Sequence, residues 1–283
     1  MVSIISDSTC DLSPELVERY GVTILPLAVI LDQQEYLDGP GIAPDDIYAW
    51  AESHRASPKT ASFSVDQAVN CLKPHLDAGD ELVCFAISES MSASAQTMRL
   101  AAAELQAEDR VHVIDSQSLS TGVGLLVIEA AVMAQQGRGA AEIVAEIEAL
   151  RPGVRASFVV DTLTYLHRGG RCSGLAAMMG GALKLHPRIA VEQGRMLPGK
   201  KYRGRMEHVI PQYVRDMHDD LLAARPERVF ITHSGCPEEQ VAQVREYLEG
   251  LGHFGEILIT RAGGVVSSHC GPGTLGVLFI AAR

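Results

Sequence analysis

The chain has 283 residues, of which 47% are hydrophobic and 21% are charged. This composition excludes a disordered chain and provides a core for one large domain or two ordinary ones. The formal net charge of −11 argues against a nucleic-acid binder, because a uniformly acidic surface repels nucleic acid and anionic membranes.

Cysteine and histidine spacing predicts no metal site. The six cysteines all lie more than four residues apart, and the ten histidines form no HxxxH or HExxH pattern. Structural zinc sites use such closely spaced ligands. We therefore expect no metal and no cofactor, and we expect most cysteines to be buried in a reducing compartment.

Two features predict the location of the protein. Residues 1–7 contain neither a basic region nor a long apolar run, unlike a secretory signal. The most apolar stretch, Leu125 to Ala134, is interrupted by Glu129 and is shorter than the ~20 residues that span a bilayer. We expect a cytoplasmic protein without a membrane-spanning segment.

Apolar runs of strand length alternate with helical patterns along the chain. Ser13-Pro14 predicts one helix start and the capping box Ser64–Gln67 predicts another. Helical spacing follows over residues 95–105, 125–136 and 140–150. The alternation predicts an α/β fold with a mainly parallel N-terminal sheet. The predicted strands are Val2–Ile5, Thr23–Leu31, Leu82–Ile87, Val111–Ile114, Ser157–Val160, Val229–Thr232, Ile257–Thr260 and Val277–Ala281.

The sequence Arg151-Pro152-Gly153 suggests a domain boundary, because it breaks the chain after a long helical pattern. We expect an N-terminal α/β domain over residues 1–153, which carries hydroxyl-rich turns. A C-terminal α/β domain over residues 154–283 is expected to contain a mixed or antiparallel sheet.

Basic residues are concentrated in the segment from Thr162 to Met206. This segment contains nine Lys and Arg but a single acid, Glu192, so its net charge is +8 while the remainder of the chain carries −19. The segregation favours a docking surface for an anionic group or an acidic partner. The alternative is a solvated basic surface without a partner.

Hydroxyl residues are clustered before three predicted helices, in residues 59–64, 88–94 and 115–122. Turns of this kind gather at the carboxyl edge of an open α/β sheet, where helix N-termini attract anions. Each Ser or Thr could instead be a simple helix cap. Three such turns favour a shared anion site, and the scarcity of Gly and Lys in them favours a carboxylate over a phosphate.

Two glycine-containing turns add candidate residues. His269 precedes Gly271-Pro272-Gly273, which predicts a tight turn that brings this histidine to a defined place. Gly169-Gly170 precedes Arg171 and permits close approach of the backbone. By contrast, Gly250 to Gly255 matches a dinucleotide-binding pattern only formally, because it ends a helix and precedes a strand.

Two other functions are compatible with these residues. Ser92 and His269 could form part of a hydrolase or acyltransferase, although no third member of a triad is identified. The basic segment could instead bind a phosphorylated small molecule.

Several motifs resemble those of the DegV family, and the resemblance extends over essentially the whole chain. They include the opening Ile5-Ser6-Asp7-Ser8-Thr9-Cys10-Asp11-Leu12, the Leu37-Asp38-Gly39 step, Val113-Ile114-Asp115-Ser116, Asp161 to Leu166 with Gly169-Gly170-Arg171, and His269-Cys270-Gly271-Pro272-Gly273.

The resemblance implies a non-catalytic two-domain α/β protein that holds a long-chain fatty acid, such as palmitate, in a closed tunnel. It implies lipid transport or presentation of the acid to a separate ATP-binding fatty acid kinase subunit. The carboxylate would be held by Thr60, Ser92 and His269, and Arg171 would engage the kinase.

The chain departs from the family pattern at three positions. Ala61 replaces a Ser, Phe63 replaces a Pro, and Ala93 replaces a Gly. We expect these changes to affect the head-group geometry more than tail binding, with Ser62 as a substitute donor. Candidate tail-lining residues after the Gly-Gly-Arg turn are Leu175, Met178, Met179 and Leu183.

Overall fold

The computed structural model describes residues 1–172 and 185–282. Leu175, Met178, Met179, Leu183 and Lys184 lie outside the described residues. Strands are numbered in chain order as β1 (Val2–Asp7), β2 (Val22–Leu25), β3 (Ala28–Leu31), β4 (Gln34–Leu37), β5 (Lys59–Ala61), β6 (Glu81–Ala86), β7 (Val111–Asp115), β8 (Val154–Val159), β9 (Leu185–Glu192), β10 (Arg195–Arg203), β11 (Ala224–His233), β12 (Glu256–Arg261) and β13 (Leu275–Ala281).

The helices are numbered in the same way over the described ranges. They are α1 (Pro14–Tyr20), α2 (Pro44–His54), α3 (Val65–Asp77), α4 (Ser94–Glu104), α5 (Thr121–Gln135), α6 (Ala140–Leu150), α7 (Thr164–Gly169), α8 (Met206–Arg215), α9 (His218–Leu222), α10 (Glu238–Gly250) and α11 (Gly264–Cys270).

The strands form three sheets. A four-stranded parallel sheet has the order β2-β1-β6-β7, and a six-stranded mixed sheet has the order β10-β9-β8-β13-β11-β12. Within the mixed sheet β11 and β12 are parallel, whereas the other neighbouring strands are antiparallel. A small antiparallel sheet has the order β4-β3-β5. This arrangement confirms the predicted fold class.

Helix α5 lies between the two large sheets and contacts β1, β8 and β13. It is apolar on almost every face, as expected for a helix that is buried on all sides. Its charged residue, Glu129, forms ion pairs with Arg225 and Arg228. The carboxylate that interrupts the apolar stretch therefore connects α5 to β11.

The structure corrects the prediction of one strand over Thr23–Leu31. This segment forms β2 and β3, which belong to different sheets, and Pro26 lies between them. Proline has no backbone N–H and cannot continue a strand ladder. Strands β4, β5, β9 and β10 were not predicted, because polar residues or prolines interrupt their apolar positions.

The predicted tight turn at Gly271-Pro272-Gly273 is present, and His269 lies directly before it, in the last turn of α11, a helix that was not predicted. The serines before it do not interrupt this helix. The Ser268 hydroxyl donates to the Gly264 carbonyl at 2.7 Å and the Ser267 hydroxyl donates to the Ala262 carbonyl at 3.1 Å. Their polar groups are thus satisfied by the backbone of the same segment.

Two further predictions concern the ends of helices. Residues Gly250 to Gly255 end α10 and lead into β12, which confirms their interpretation as a cap and turn. Arg151–Gly153 forms a short 3-10 turn between α6 and β8. The division at residue 153 remains a prediction. Over the residues that the structure describes, no helix has the length and apolar character needed to cross a bilayer.

Candidate functional site

A cavity of about 250 Å³ lies where the parallel sheet, the small sheet and α11 meet. This volume is close to the lower end of the range for small-molecule sites. The apolar part of its wall is formed by Leu27, Ile87, Met91, Leu119, Met196, Val265, Val266 and Cys270, together with Ala61 and Ala93. Its polar part is formed by Thr60, Ser62, Ser92, His269 and Arg171. The five residues that the sequence analysis selected therefore share one cavity.

Three hydroxyls form a connected group at the polar end. Ser62 lies directly after β5, while Ser92 lies just before α4 and Ser94 begins it. The Ser92 and Ser94 hydroxyl oxygens are 2.9 Å apart, and those of Ser62 and Ser94 are 3.3 Å apart. Rotation of these hydroxyls can turn one or more of their O–H groups toward a ligand in the cavity.

Helix α4 begins at the cavity wall. Its N-cap residue is Ala93, which makes no side-chain cap within the described structure. The first N–H groups of a helix lack intrahelical partners and carry a partial positive charge. The Ser92 hydroxyl accepts the first N–H of α4, that of Ser94, at 3.3 Å. Ala93 offers no side chain to the N–H groups that follow, so an anion could approach these.

His269 connects α11 to the small sheet. Its Nε2 atom lies 2.8 Å from the Thr60 hydroxyl oxygen. Its Nδ1 atom is buried and has no hydrogen-bond partner among the described residues. Burial, followed by the nearby charge of Arg171, lowers the pKa of His269 to about 4. The imidazole is therefore neutral at pH 7, and it can serve as a hydrogen-bonding group rather than as a cation.

Arg171 is the one residue of the described cavity wall that carries a formal charge at neutral pH. Helix α7 ends at Gly169, and Gly170 follows with a φ of 69°, a conformation that favours glycine. The exposed Arg171 side chain then turns back, and its guanidinium donates to the Gly169 carbonyl at 2.7 Å. The Gly-Gly-Arg turn thus places a cation at the rim of the cavity.

The turn over residues 88–94 also fixes the β9–β10 hairpin. The Ser88 hydroxyl donates to the carbonyl of Gly194 at 2.8 Å, and the Ser90 hydroxyl donates to the same oxygen. Gly194 lies in the hairpin turn, two residues before Met196. These serines therefore hold Met196 against the cavity, a role that their position in the sequence did not reveal.

Only part of the predicted cluster of hydroxyl turns is found. Residues 59–61 of the first predicted turn form β5, a strand of the antiparallel sheet, and only residues 62–64 follow a strand. In the turn over residues 115–122, Leu119 lines the cavity. The Ser120 hydroxyl of that turn instead donates to Asp11. The polar end of the cavity therefore contains hydroxyls from two of the three predicted turns, those over residues 59–64 and 88–94.

The three departures from the family pattern have distinct environments. Ala61 and Ala93 line the cavity, whereas Phe63 is 4% exposed and belongs to the core beneath α3 and α4. Phe63 thus occupies the core without projecting into the cavity. Ser62, the expected substitute donor, does reach the polar end.

The geometry required of a Ser–His hydrolase is not assembled in the described part of the chain. The Ser92 hydroxyl is paired with Ser94, and His269 Nε2 is paired with Thr60. The buried Nδ1 atom has no acidic partner there to orient the ring. A histidine whose pKa is about 4 is also a weak general base at neutral pH.

The basic segment is partly neutralised by acids from outside it. Lys200 pairs with Asp216 at 2.6 Å, and Arg205 pairs with Glu207 at 3.1 Å. Arg195, Lys201 and Arg203 are exposed on β10, an edge strand of the mixed sheet. The strand that contributes Met196 to the cavity therefore also presents cations to solvent.

Comparison with known proteins places this arrangement among proteins of one family. The family model described as "Uncharacterised protein, DegV family" matches residues 1–282. A DegV domain-containing protein of Deinococcus radiodurans is 33% identical over 278 residues, which cover 98% of this chain and 97% of the relative. The similarity thus extends along both sequences.

Two solved structures are similar to this chain over nearly their full lengths. One reports fatty acid binding by a DegV family protein from Thermus thermophilus; it is 31% identical, covers 99% of each chain and has a TM-score of 0.91. The other is a stearic acid-binding protein from Eubacterium ventriosum; it is 26% identical, covers 99% of this chain and 98% of that chain, and has a TM-score of 0.85.

Proposed function

Since this chain belongs to the DegV family, we propose that it binds a long-chain fatty acid, such as palmitate, in the cavity described above. The observation that carries the proposal is an apolar cavity with one polar end, where Thr60, Ser62, Ser92 and His269 converge. A fatty acid has the same division into an apolar tail and a polar head. The fatty acid binding reported for the Thermus thermophilus structure and the stearic acid named for the Eubacterium ventriosum structure support this ligand class.

The tail supplies most of the driving force in this proposal. About 14 methylenes at ~0.8 kcal/mol each give a gross gain of roughly 11 kcal/mol. Loss of ligand freedom offsets a large share of this gain. A second, small cavity shares Leu119, Val266 and Cys270 with the main one. We infer that the tail passes these residues on its way from the polar end.

The head group requires hydrogen bonds and compensation of its charge. Thr60, Ser62, Ser92 and His269 are the proposed hydrogen-bonding partners of the carboxylate. Because His269 is neutral at pH 7, the charge is compensated in this proposal by Arg171 and by the amino end of α4. This assignment gives Arg171 a role toward the ligand in addition to docking a partner.

Mass spectrometry of the denatured protein tests the ligand class. We expect co-purified acyl chains of about 16 to 18 carbons, and uptake of added palmitate after delipidation. The double variant Thr60→Val/Ser92→Ala should lose most of the bound acid and keep its fold. A wild-type protein that carries only traces of lipid and does not take up palmitate would refute the proposal.

We also propose that the chain is not itself an enzyme and presents its acyl carboxylate to a separate ATP-binding kinase subunit. Arg171 at the cavity rim and the exposed cations of β10 support a surface for such a partner. The test combines the palmitate-saturated chain with a candidate kinase subunit and ATP, whose γ-phosphoryl group passes to the carboxylate and leaves ADP, and it traps the acyl phosphate with hydroxylamine. Product should require both proteins, and its rate should fall about tenfold in Arg171→Glu at saturating palmitate. Product formation by the chain alone would contradict the non-enzymatic role.

A further inference from the structure

Three buried aspartates lie behind the wall of the cavity without lining it. Asp7, Asp11 and Asp38 are 0%, 5% and 2% exposed. They come from the Asp7 to Asp11 segment and from the end of β4, motifs to which the proposed function assigns no role. Within the described ranges, no group of acidic, His and Cys side chains is arranged to hold a metal ion. Their hydrogen bonds therefore have to be explained within the protein.

Each aspartate accepts a backbone N–H from a segment that forms or directly precedes the wall. Asp7 accepts from Ile87, a wall residue, at 2.9 Å. Asp11 accepts from Gly263 at 2.8 Å, and Asp38 accepts from Gly264 at 2.6 Å. The last two bonds hold the amino end of α11.

The remaining carboxylate oxygens extend this support. Asp38 accepts from the Ser8 hydroxyl at 2.7 Å, and the same hydroxyl accepts the N–H of Leu27, a wall residue, at 3.1 Å. Asp11 accepts from the Ser120 hydroxyl, and Ser120 follows the wall residue Leu119. The three carboxyl groups thus connect four separate parts of the cavity wall.

Among the segments that these aspartates support, α11 contributes the most residues to the cavity wall. Val265, Val266, His269 and Cys270 all line the cavity from this one helix. Its amino end depends on glycine, since a Cβ atom on Gly264 would lie 3.0 Å from a carboxylate oxygen of Asp38 and 3.0 Å from Ile47. A shift at this end is transmitted to His269, because the short helix moves as a rigid unit.

We propose that Asp11 and Asp38 are positioning residues for the fatty acid site: by holding the first turn of α11, they keep His269 against Thr60. This inference rests on the proposed function. It predicts that the acceptor oxygen matters more than the charge, because the bonds to α11 come from backbone N–H groups that an amide oxygen can also accept.

The test compares Asp38→Ala and Asp38→Asn. Palmitate affinity is measured by displacement of a fluorescent fatty acid, and the His269 ring is monitored by NMR without ligand. Asp38→Ala should move the His269 resonances and weaken binding about tenfold, which corresponds to the loss of about one hydrogen bond to the head group. Asp38→Asn should bind within about threefold of wild type, because it retains an acceptor oxygen.

Two further variants keep the inference testable. Asp80→Ala removes another buried aspartate, which accepts from Ser3 at 2.8 Å away from the cavity; it should lose stability but neither affinity nor the His269 signals. If Asp38→Ala does not fold, Gly264→Ala displaces α11 with both carboxylates present and should reproduce its effects. A folded Asp38→Ala or Gly264→Ala protein with wild-type affinity and unmoved His269 signals would overturn the proposal. Because the NMR signals are recorded without ligand, failure of fatty acid binding in the wild type is a separate outcome.

Discussion

Gly169 faces the ring of His269 so closely that a Cβ atom at position 169 would lie 2.3 Å from Nδ1. No real Cβ contact is this short, so the first glycine of the Gly-Gly-Arg turn is required by the histidine that lies 100 residues later in the chain. The same glycine accepts the hydrogen bond from Arg171. The backbone of Gly169 therefore lies against both the guanidinium of Arg171 and the imidazole ring of His269.

Gly169→Ala should displace the His269 ring and weaken palmitate binding about tenfold, the cost of about one hydrogen bond to the head group. Isothermal titration calorimetry provides the measurement. Gly139→Ala is the matched control, because a Cβ at Gly139 meets no heavy atom within 4 Å. Equal affinities of the two variants would show that contact with Gly169 does not position the ring.

Thr60→Val should weaken palmitate binding by about fivefold to tenfold, because it removes a donor of about 1 kcal/mol at constant side-chain shape. Thr23→Val tests whether loss of any Thr–His pair has this effect, since the Thr23 hydroxyl lies 3.2 Å from Nε2 of His75, away from the cavity. Affinity that falls equally in both variants would argue for a general loss of stability.

Arg171→Gln should reduce the affinity for palmitate about threefold and leave the affinity for hexadecanol unchanged. The effect is small because Arg171 is exposed, and solvent screens its charge. The ratio of the two affinities, measured at low and high salt, isolates the charge of the head group. If the variant binds both ligands with wild-type affinity, the charge of Arg171 does not contribute to binding of the head group, and partner docking is the remaining proposed role.

The pH dependence of stability should report on His269. Because its pKa is lowered from 6.5 to about 4, the folded state binds fewer protons than the unfolded state between these values. The contribution of the neutral ring is complete above pH 6.5 and is lost as the pH falls toward 4, by at most about 1.4 kcal/mol per pH unit. Urea denaturation of the wild type and of His269→Gln at pH 4.5 and pH 7 measures this difference.

A bound carboxylate should also change the titration of His269. An anion close to the ring stabilises the protonated form and raises the pKa of His269 from its lowered value. NMR titration with and without palmitate measures the change. An unchanged pKa in the loaded protein would place the carboxylate away from this ring.

Glu129→Gln should destabilise the protein by about 2 kcal/mol, because Arg228, which is largely buried, keeps only Glu256 at 3.9 Å, whereas Arg225 keeps Glu227 at 2.7 Å. Chemical denaturation provides the measurement. The control Glu142→Gln removes only an exposed ion pair with Arg138 and should cost less than about 1 kcal/mol. A small effect at Glu129 would mean that α5 is held in place by apolar packing alone.

The strand–helix alternation was predictable from the sequence because apolar periodicity is a local property of the chain. Segments whose residue types favour a different local structure were not predicted correctly. The serines before His269 gave no indication of a helix, yet their hydroxyls bond to carbonyls within the same segment and α11 forms. The polar edge strand β10 was missed because an edge strand needs few buried residues.

The motif resemblance assigned Thr60, Ser92 and His269 to one site, and the structure brings all three to one cavity. It gave no indication of Met196, whose residue type is common in cores. Gly169 and Ser94 belonged to the Gly-Gly-Arg motif and to the hydroxyl cluster over residues 88–94, but their contacts with His269 and Ser62 depend on packing between distant segments.

The sequence alone determined the α/β class, the segregation of basic residues and the set of candidate head-group residues, because each of these follows from composition, periodicity or a local motif. Only the tertiary structure decided that His269 is neutral, that it pairs with Thr60 across 209 positions of sequence, and that Asp11 and Asp38 hold its helix. Burial and hydrogen-bond partners depend on which segments pack together, and that depends on the whole folded chain.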